Sequence, residues 1–291
     1  MFLPSKILEE KLLNILAEDV GEGDITTALI VPAGATAEAE VRCKELGVAA
    51  GIEEATALIE SLGLKVQASL KDGDNIAANQ VMMKISGDAR TILSAERTLL
   101  NLLSRMSGIA TTTRQLVKEI QRAELKTKVA CTRKTAPGLL YFDKKAVFVG
   151  GGDTHRLHLD DMILIKNNHI AIAGSLQKAV RSAKERASFS KKIEVEVTSA
   201  ADALEAAKAG ADMVMLDNFS PEQIEKAITL LKEKKMYGKI LLEASGGITK
   251  ENVVVFASTG VDIVSLGEIT NSSEALDISL EIVKIKENHA A

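Results

Sequence analysis

The chain has 291 residues, with 36 lysines and arginines against 40 aspartates and glutamates, for a formal net charge of -4. That balance gives no global field for nucleic acid or anionic lipid, so any anion site must be local. Aromatic residues make up 3% and Trp is absent, which removes the stacking platforms that single-stranded nucleic acid needs.

The length allows one large or two medium domains. The start, MFLPSKILEEKLLNIL, sets apolar residues at helical spacing with Lys and Glu between them. It reads as a docking helix, because it lacks both an unbroken apolar core and a small-residue cleavage site. No stretch reaches the length of a membrane span. Cys43 and Cys131 lack metal-ligand spacing, and two thiols in so long a chain fit a reducing compartment. The expectation is a cytoplasmic protein with no membrane or nucleic-acid partner.

The first hundred or so residues mix both element types. Ala37–Cys43 alternates at period two, as a strand with one wet face does. Ile52–Leu62 is helical and stops at Gly63; Leu64–Leu70 and Gln80–Ile85 read as strands around the turn-rich KDGDN. A long helix then starts near Ala89 and carries ERTLLNLLSRM.

From about Thr127 short apolar runs recur: Lys128–Thr132, Ala146–Val149, Met162–Ile165, Ile193–Val197, Met213–Leu216, Ile240–Glu243 and Asp262–Leu266. Most are too uniformly apolar for a half-wet strand and suit parallel strands covered on both faces. Helical segments at Ile172–Ala187, Ala200–Gly210, Pro221–Lys235 and Lys250–Thr259 separate many of them. Repeated βα units favour a parallel barrel or a doubly wound sheet.

Polar groups cluster just after these runs. Arg133 and Lys134 follow the first, Lys166 the third, Glu196 lies near the end of the fourth, and Asp217 follows the fifth. Ser245-Gly246-Gly247 follows the sixth and Gly267 the seventh. In an α/β barrel the active site is built at the C-terminal strand ends. A solvated strand end is the ordinary explanation for any one of these charges, but not for the whole series. Ser245–Ile248 enters a helix with small residues and free backbone N–H groups, as a phosphate site does. Close packing is the alternative there.

Glu196 and Asp217 offer oxygen without His or Cys company, which suits Mg2+ shared with substrate phosphates, or hydrogen bonds to sugar hydroxyls. Pairing with Lys166 or Arg156 is compatible with either. Arg133, Lys134 and Arg156 supply donors for carboxylate or pyrophosphate. A lone His such as His155 is more often structural, and His158 and His289 take that reading outright. Gly150–Gly152 admits a close ligand or a plain loop. Met82, Met83, Met213 and Met215 read as core.

In order along the chain, EDVGEGDITT, ERTLLNLLSRMSGIAT, TRKTAPG, GGGDTHR, LIKNNHI, EVEVTS, LDNFSPE, EASGGI and STGVDIVSLGEIT resemble the quinolinate phosphoribosyltransferase family over nearly the full length. The resemblance implies a type II phosphoribosyltransferase fold, in the α/β class. Its parts are an N-terminal open α/β sandwich, 1–112, on which 276–291 packs back, and an incomplete TIM-like α/β barrel, 113–275. It implies Mg2+-dependent transfer of phosphoribosyl from phosphoribosyl pyrophosphate to quinolinate with decarboxylation, in a homodimer with shared active sites. The products are nicotinate mononucleotide, pyrophosphate and CO2, as in NAD biosynthesis.

By motif, Thr132, Arg133, Lys134, His155, Arg156 and Lys166 resemble the lining for quinolinate and pyrophosphate, with Arg97 donated across the dimer. Glu196 and Asp217 resemble the acidic pair near ribose and metal. With Lys134 and Lys166 they make up the implied catalytic set. Ser245, Gly246, Gly247, Leu266, Gly267, Glu268 and Asn271 resemble the 5′-phosphate cradle. Three positions depart: Asn167 where Asp is common, Thr154 where Asn precedes His-Arg, and Asn271 where His often stands. Competing readings are a nicotinate-specific phosphoribosyltransferase, a barrel lyase with Lys166 as Schiff-base nucleophile, and a non-catalytic metabolite binder.

Overall fold

The computed structural model describes residues 3–286, so His289 lies outside the described residues. The chain divides into two compact units. One runs to Thr112 and includes Phe148–Gly150 and the segment from Ser273; the other comprises Thr113–Val147 and Gly151–Ser272.

The first unit opens with α1 (Ser5–Val20), which buries Leu12 and Leu16 as a docking helix should, and α2 (Ile25–Ile30), capped by Asp24. Then come β1 (Thr36–Cys43), β2 (Gly47–Val48), α3 (Ile52–Ser61), β3 (Lys65–Ala68), β4 (Asn75–Ile76) and β5 (Gln80–Asp88). The helix α4 (Ala89–Arg122) begins here and ends in the second unit.

Alternation along β1 buries Ala37, Ala39, Val41 and Cys43 on one face. These join Met82, Met83, Ile85, Leu99 and Leu103 in one core. Burying a side chain of Leu, Ile or Met size stabilises by roughly 1.5–3 kcal/mol before the entropy of ordering it. The sheet order is β12-β1-β5-β3, where β12 is Ile278–Lys286, and every pairing is antiparallel. The downstream strand therefore packs back on the N-terminal sheet, against α4 through the Leu276 N–H to Ser104 carbonyl bond at 3.1 Å.

The second unit carries six parallel strands: β6 (Lys128–Cys131), β7 (Ile163–Ile165), β8 (Ile193–Val197), β9 (Met213–Asp217), β10 (Leu241–Ser245) and β11 (Ile263–Leu266). Helices α5 (Leu140–Gly150), α6 (Asn167–Ala173), α7 (Leu176–Arg186), α8 (Ala200–Ala209), α9 (Pro221–Glu233), α10 (Val253–Ser258) and α11 (Glu268–Asn271) run between them. Local chemistry starts and stops the outer helices. Ser175, Ser199 and Ser220 cap α7, α8 and α9, and Ser220 forms a capping box with Gln223 ahead of Pro221, as orphan N–H groups demand. The sheet order β6-β11-β10-β9-β8-β7 is the cyclic order of a barrel in which the first strand meets the last. The seam lies between β6 and β7, so the barrel is incomplete.

Two local expectations are corrected. Ala146–Val149 is not a strand but the end of α5. Its apolar character serves a helix buried from Phe142 through Val147, and tertiary burial overrides the β-branched signal. The edge of β6 is met instead by a single bridge from Ala130 to Asp153. The segment Ile172–Ala187 is two helices, because Gly174 at φ +88° ends α6 and Ser175 caps α7.

Candidate active site

Period-two alternation turns Glu194 and Glu196 to the same face of β8, Met213, Met215 and Asp217 to one face of β9, and Glu243 and Ser245 to one face of β10. Parallel register sets Glu196 beside Met215, Met215 beside Glu243, and Asp217 beside Ser245. Polar groups thus form steps rising to the C-terminal strand ends.

There a cleft of about 430 Å3 gathers most of the residues singled out from sequence. Thr132, Arg133 and Lys134 enter from the end of β6, His155 and Arg156 from the loop after α5, and Lys166 from the end of β7. Glu196, Asp217, Ser245, Gly246 and Gly247 complete it. The Lys166 ammonium meets Glu196 Oε2 at 2.5 Å, with the lysine side chain 47% exposed and the carboxylate 12%. Burial lowers the Arg156 pKa, and the neighbouring charge of Arg133 lowers it further, while Glu194 opposes both. Two guanidiniums close enough to repel are costly unless an anion joins them.

A contiguous cavity of about 460 Å3 shares Thr132, Lys134, Ser245, Gly246 and Gly247, and adds Gly267, Glu268 and Asn271. Backbone geometry fixes Gly246, and side-chain crowding constrains Gly267. Gly246 has φ +87°, and a Cβ there would collide with Asn218 Oδ1 and sit 3.0 Å from Asn218 N. A Cβ on Gly267 would lie 2.9 Å from Lys134 Cδ and 3.7 Å from Asn271 Nδ2. The loop after β6 is tied over this cavity by Thr270 Oγ1, which donates to the Lys134 carbonyl at 2.8 Å. Leu266 is buried and lines neither cavity, and Arg97 lies exposed on α4 in the first unit. Gly152 packs closely, because a Cβ there would lie 2.7 Å from Thr113 Cγ2 and 2.9 Å from Val147 Cγ1.

Sequence reasoning missed Glu194 and Glu243, both fully buried. Glu243 Oε2 is 3.0 Å from His155 Nε2, and Glu194 Oε2 is 3.4 Å away at ion-pair distance. The signal was present in IEVEV, where Glu194 shares the inward face of Glu196. His155 thus has two buried carboxylates as neighbours within the barrel. Glu196 and Asp217 supply two carboxylates, too few to enclose a cation alone and suited to a hard ion completed by ligand oxygens. Among the described residues, no helix is long and apolar enough to cross a membrane.

Such a concentration of charge at one end of a parallel barrel defines an enzyme acting on an anionic small molecule. Residues 24–107 match the quinolinate phosphoribosyl transferase N-terminal domain, and residues 109–281 match its C-terminal domain. A probable nicotinate-nucleotide pyrophosphorylase (carboxylating) of Methanocaldococcus jannaschii is 45% identical over 284 residues, covering 96% of this chain and 99% of that one. The crystal structure of NadC from Streptococcus pyogenes superposes with a TM-score of 0.88 at 39% identity, over 98% and 99% of the two chains. The nicotinate-nucleotide pyrophosphorylase structure from Francisella tularensis gives 0.87 at 40% identity, over 97% and 98%. The chain belongs to the quinolinate phosphoribosyl transferase family and is an enzyme of the pentosyltransferase class.

Proposed function

We propose that the chain transfers phosphoribosyl from phosphoribosyl pyrophosphate to quinolinate and decarboxylates the adduct, giving nicotinate mononucleotide, pyrophosphate and CO2 for NAD biosynthesis. One observation carries this reading: Arg133, Lys134, Arg156 and Lys166 converge with Glu196 and Asp217 on one cleft that continues into a glycine-lined cavity. The cations match a dicarboxylate and a pyrophosphate together. Arg133 and Arg156 hold the quinolinate carboxylates, and Lys134 and Lys166 face the pyrophosphate.

Gly246, Gly247 and Gly267, with Ser245 and Asn271, cradle the 5′-phosphate, with Leu266 and Glu268 flanking Gly267. The quinolinate ring nitrogen attacks the ribose C1′ as the bond to pyrophosphate breaks, and Glu196 and Asp217 stabilise the developing positive charge on the sugar. Loss of the adjacent carboxylate as CO2 leaves its electron pair beside the quaternised nitrogen, and a proton from solvent replaces it. Glu196 and Asp217 also fit a Mg2+ ion, which would supply charge neutralisation to the leaving pyrophosphate.

Exposed Ile25, Leu29 and Ile30 on α2 support a homodimer, since clustered apolar surface marks an association site. We assign Arg97 to the partner's cleft. The buried free thiols Cys43 and Cys131 support a cytoplasmic location. A Schiff-base role for Lys166 is disfavoured, because a carboxylate sits 2.5 Å from a half-exposed amine that such chemistry wants desolvated.

Incubation with quinolinate, phosphoribosyl pyrophosphate and Mg2+ should release CO2 and nicotinate mononucleotide in equal amounts. Faster turnover of nicotinate without CO2 would make the chain a nicotinate-specific enzyme instead.

A further inference from the structure

We infer that Glu194 and Glu243 are positioning residues: they lock His155 into the floor of the substrate cleft as an imidazolium, adding a fixed cationic donor for quinolinate. The use of that donor in substrate capture rests on the proposed reaction, whereas the state of His155 does not.

The geometry is local and over-determined. His155 sits at φ +51°, a left-handed conformation that costs a non-glycine residue roughly 1–3 kcal/mol unless its surroundings impose it. Asp153 Oδ1 imposes it by accepting the His155 N–H at 2.8 Å, and the Lys144 ammonium, itself buried on α5, donates to the Thr154 carbonyl at 2.5 Å. The side chain, 9% exposed, then enters the barrel between two carboxylates with no exposure.

Neither Glu194 oxygen, nor Glu243 Oε1, has a hydrogen-bond partner among the described residues. Burial pushes the Glu194 carboxyl up and the His155 ring pulls it back down, so the charge of the ring is what offsets the desolvation of the carboxylates beside it. The charged groups around His155 are Glu194 on β8, Glu243 on β10, Arg156 beside it, Arg133 after β6, Asp153 and Lys144. Burial works against the imidazolium, but Glu194 and Glu243 overcome it and push the pKa up to about 10. Nε2 is committed to Glu243, and the second ring N–H, at Nδ1, meets no acceptor among the described residues and remains for a ligand of the cleft that His155 lines.

Histidine NMR tests the charge directly, with the resonance assigned by His155→Gln. The His155 ring should stay protonated from about pH 6 to about 9, above the range of an ordinary imidazole. In Glu243→Gln its titration should drop into that window. At about pH 8 the KM for quinolinate should then rise about tenfold, as for one weakened charge-assisted contact. The kcat should change less than about threefold, the pattern of binding lost equally in ground and transition states. Glu194→Gln should act in the same direction. An ordinary titration of His155 in the unmodified protein would overturn the inference, and this measurement decides the matter if neither variant folds. So would unchanged titration in both variants, or a metal ion retained by the purified protein and lost in Glu243→Gln. A charged His155 in a protein that does not turn over quinolinate would defeat the proposed reaction and leave the locked imidazolium standing.

Discussion

Gly246 bears a steric demand that no side chain meets. In Gly246→Val, positive φ and the collision with Asn218 act together, and strain of roughly 1–3 kcal/mol should fall on the turn proposed to hold the phosphate. The expected outcome is a KM for phosphoribosyl pyrophosphate raised at least about tenfold, with an unchanged circular dichroism spectrum. Lys166→Ala separates function from stability in another way. Its half-exposed pair with Glu196 is worth at most about 1 kcal/mol to folding, so thermal unfolding should barely move. If Lys166 faces the leaving group as proposed, loss of its charge should lower kcat by about a hundredfold or more. The thiols give a third check. Burial raises the pKa of both Cys43 and Cys131, so little thiolate exists at neutral pH. A thiol reagent should find no rapidly reacting cysteine in the native protein and two after denaturation. At this scale the exposed charges were legible in sequence, because cations ending apolar runs stand out. Glu194 and Glu243 were not, since a buried carboxylate reads as a solvated one until its partner, distant in sequence, is placed beside it.

Helix α4 reverses a general expectation about glycine. Replacing a mid-helix glycine by alanine ordinarily gains about 1 kcal/mol. At Gly108, however, a Cβ would be driven into the Glu274 carbonyl and to 3.1 Å from Ala275 Cα, and backbone cannot swing aside as a side chain does. Gly108→Ala should therefore lower Tm, with a net loss of about 1–3 kcal/mol as in other overpacked sites. The helices α8 and α9 were legible because their boundaries are local: Ser199 and Ser220 cap their N-termini, and Gly210 in αL ends α8. Ala146–Val149 misled because four apolar residues fit a buried strand or a buried helix equally well. The answer depended on Phe142 and Lys144 upstream being buried too. The cluster TRK, HR and K was readable as one site because strand ends in a parallel barrel converge. The seam beside β6 was not, as it depends on a single bridge at Asp153.

At the scale of the whole molecule, the proposed dimer makes a prediction that no single chain can. Arg97→Ala and Lys134→Ala proteins should each be inactive. Mixed under conditions of subunit exchange, they should recover activity, because one site in each hybrid would hold both native residues. Exchange without recovery would remove Arg97 from the partner's site. The pairing of β1 with β12 has a consequence of another kind, for the order of events during synthesis. Cys43 pairs with Ile278 and Val41 with Leu280, so the first unit's sheet waits for a strand made long after its neighbours. Every strand of the barrel emerges before it. A chain truncated after Ser272 should already resist proteolysis across its βα units, while β1 keeps an open edge of the kind that invites mispairing. Protection of β1 should appear only once β12 is present, making a strand translated early one of the last to be sealed.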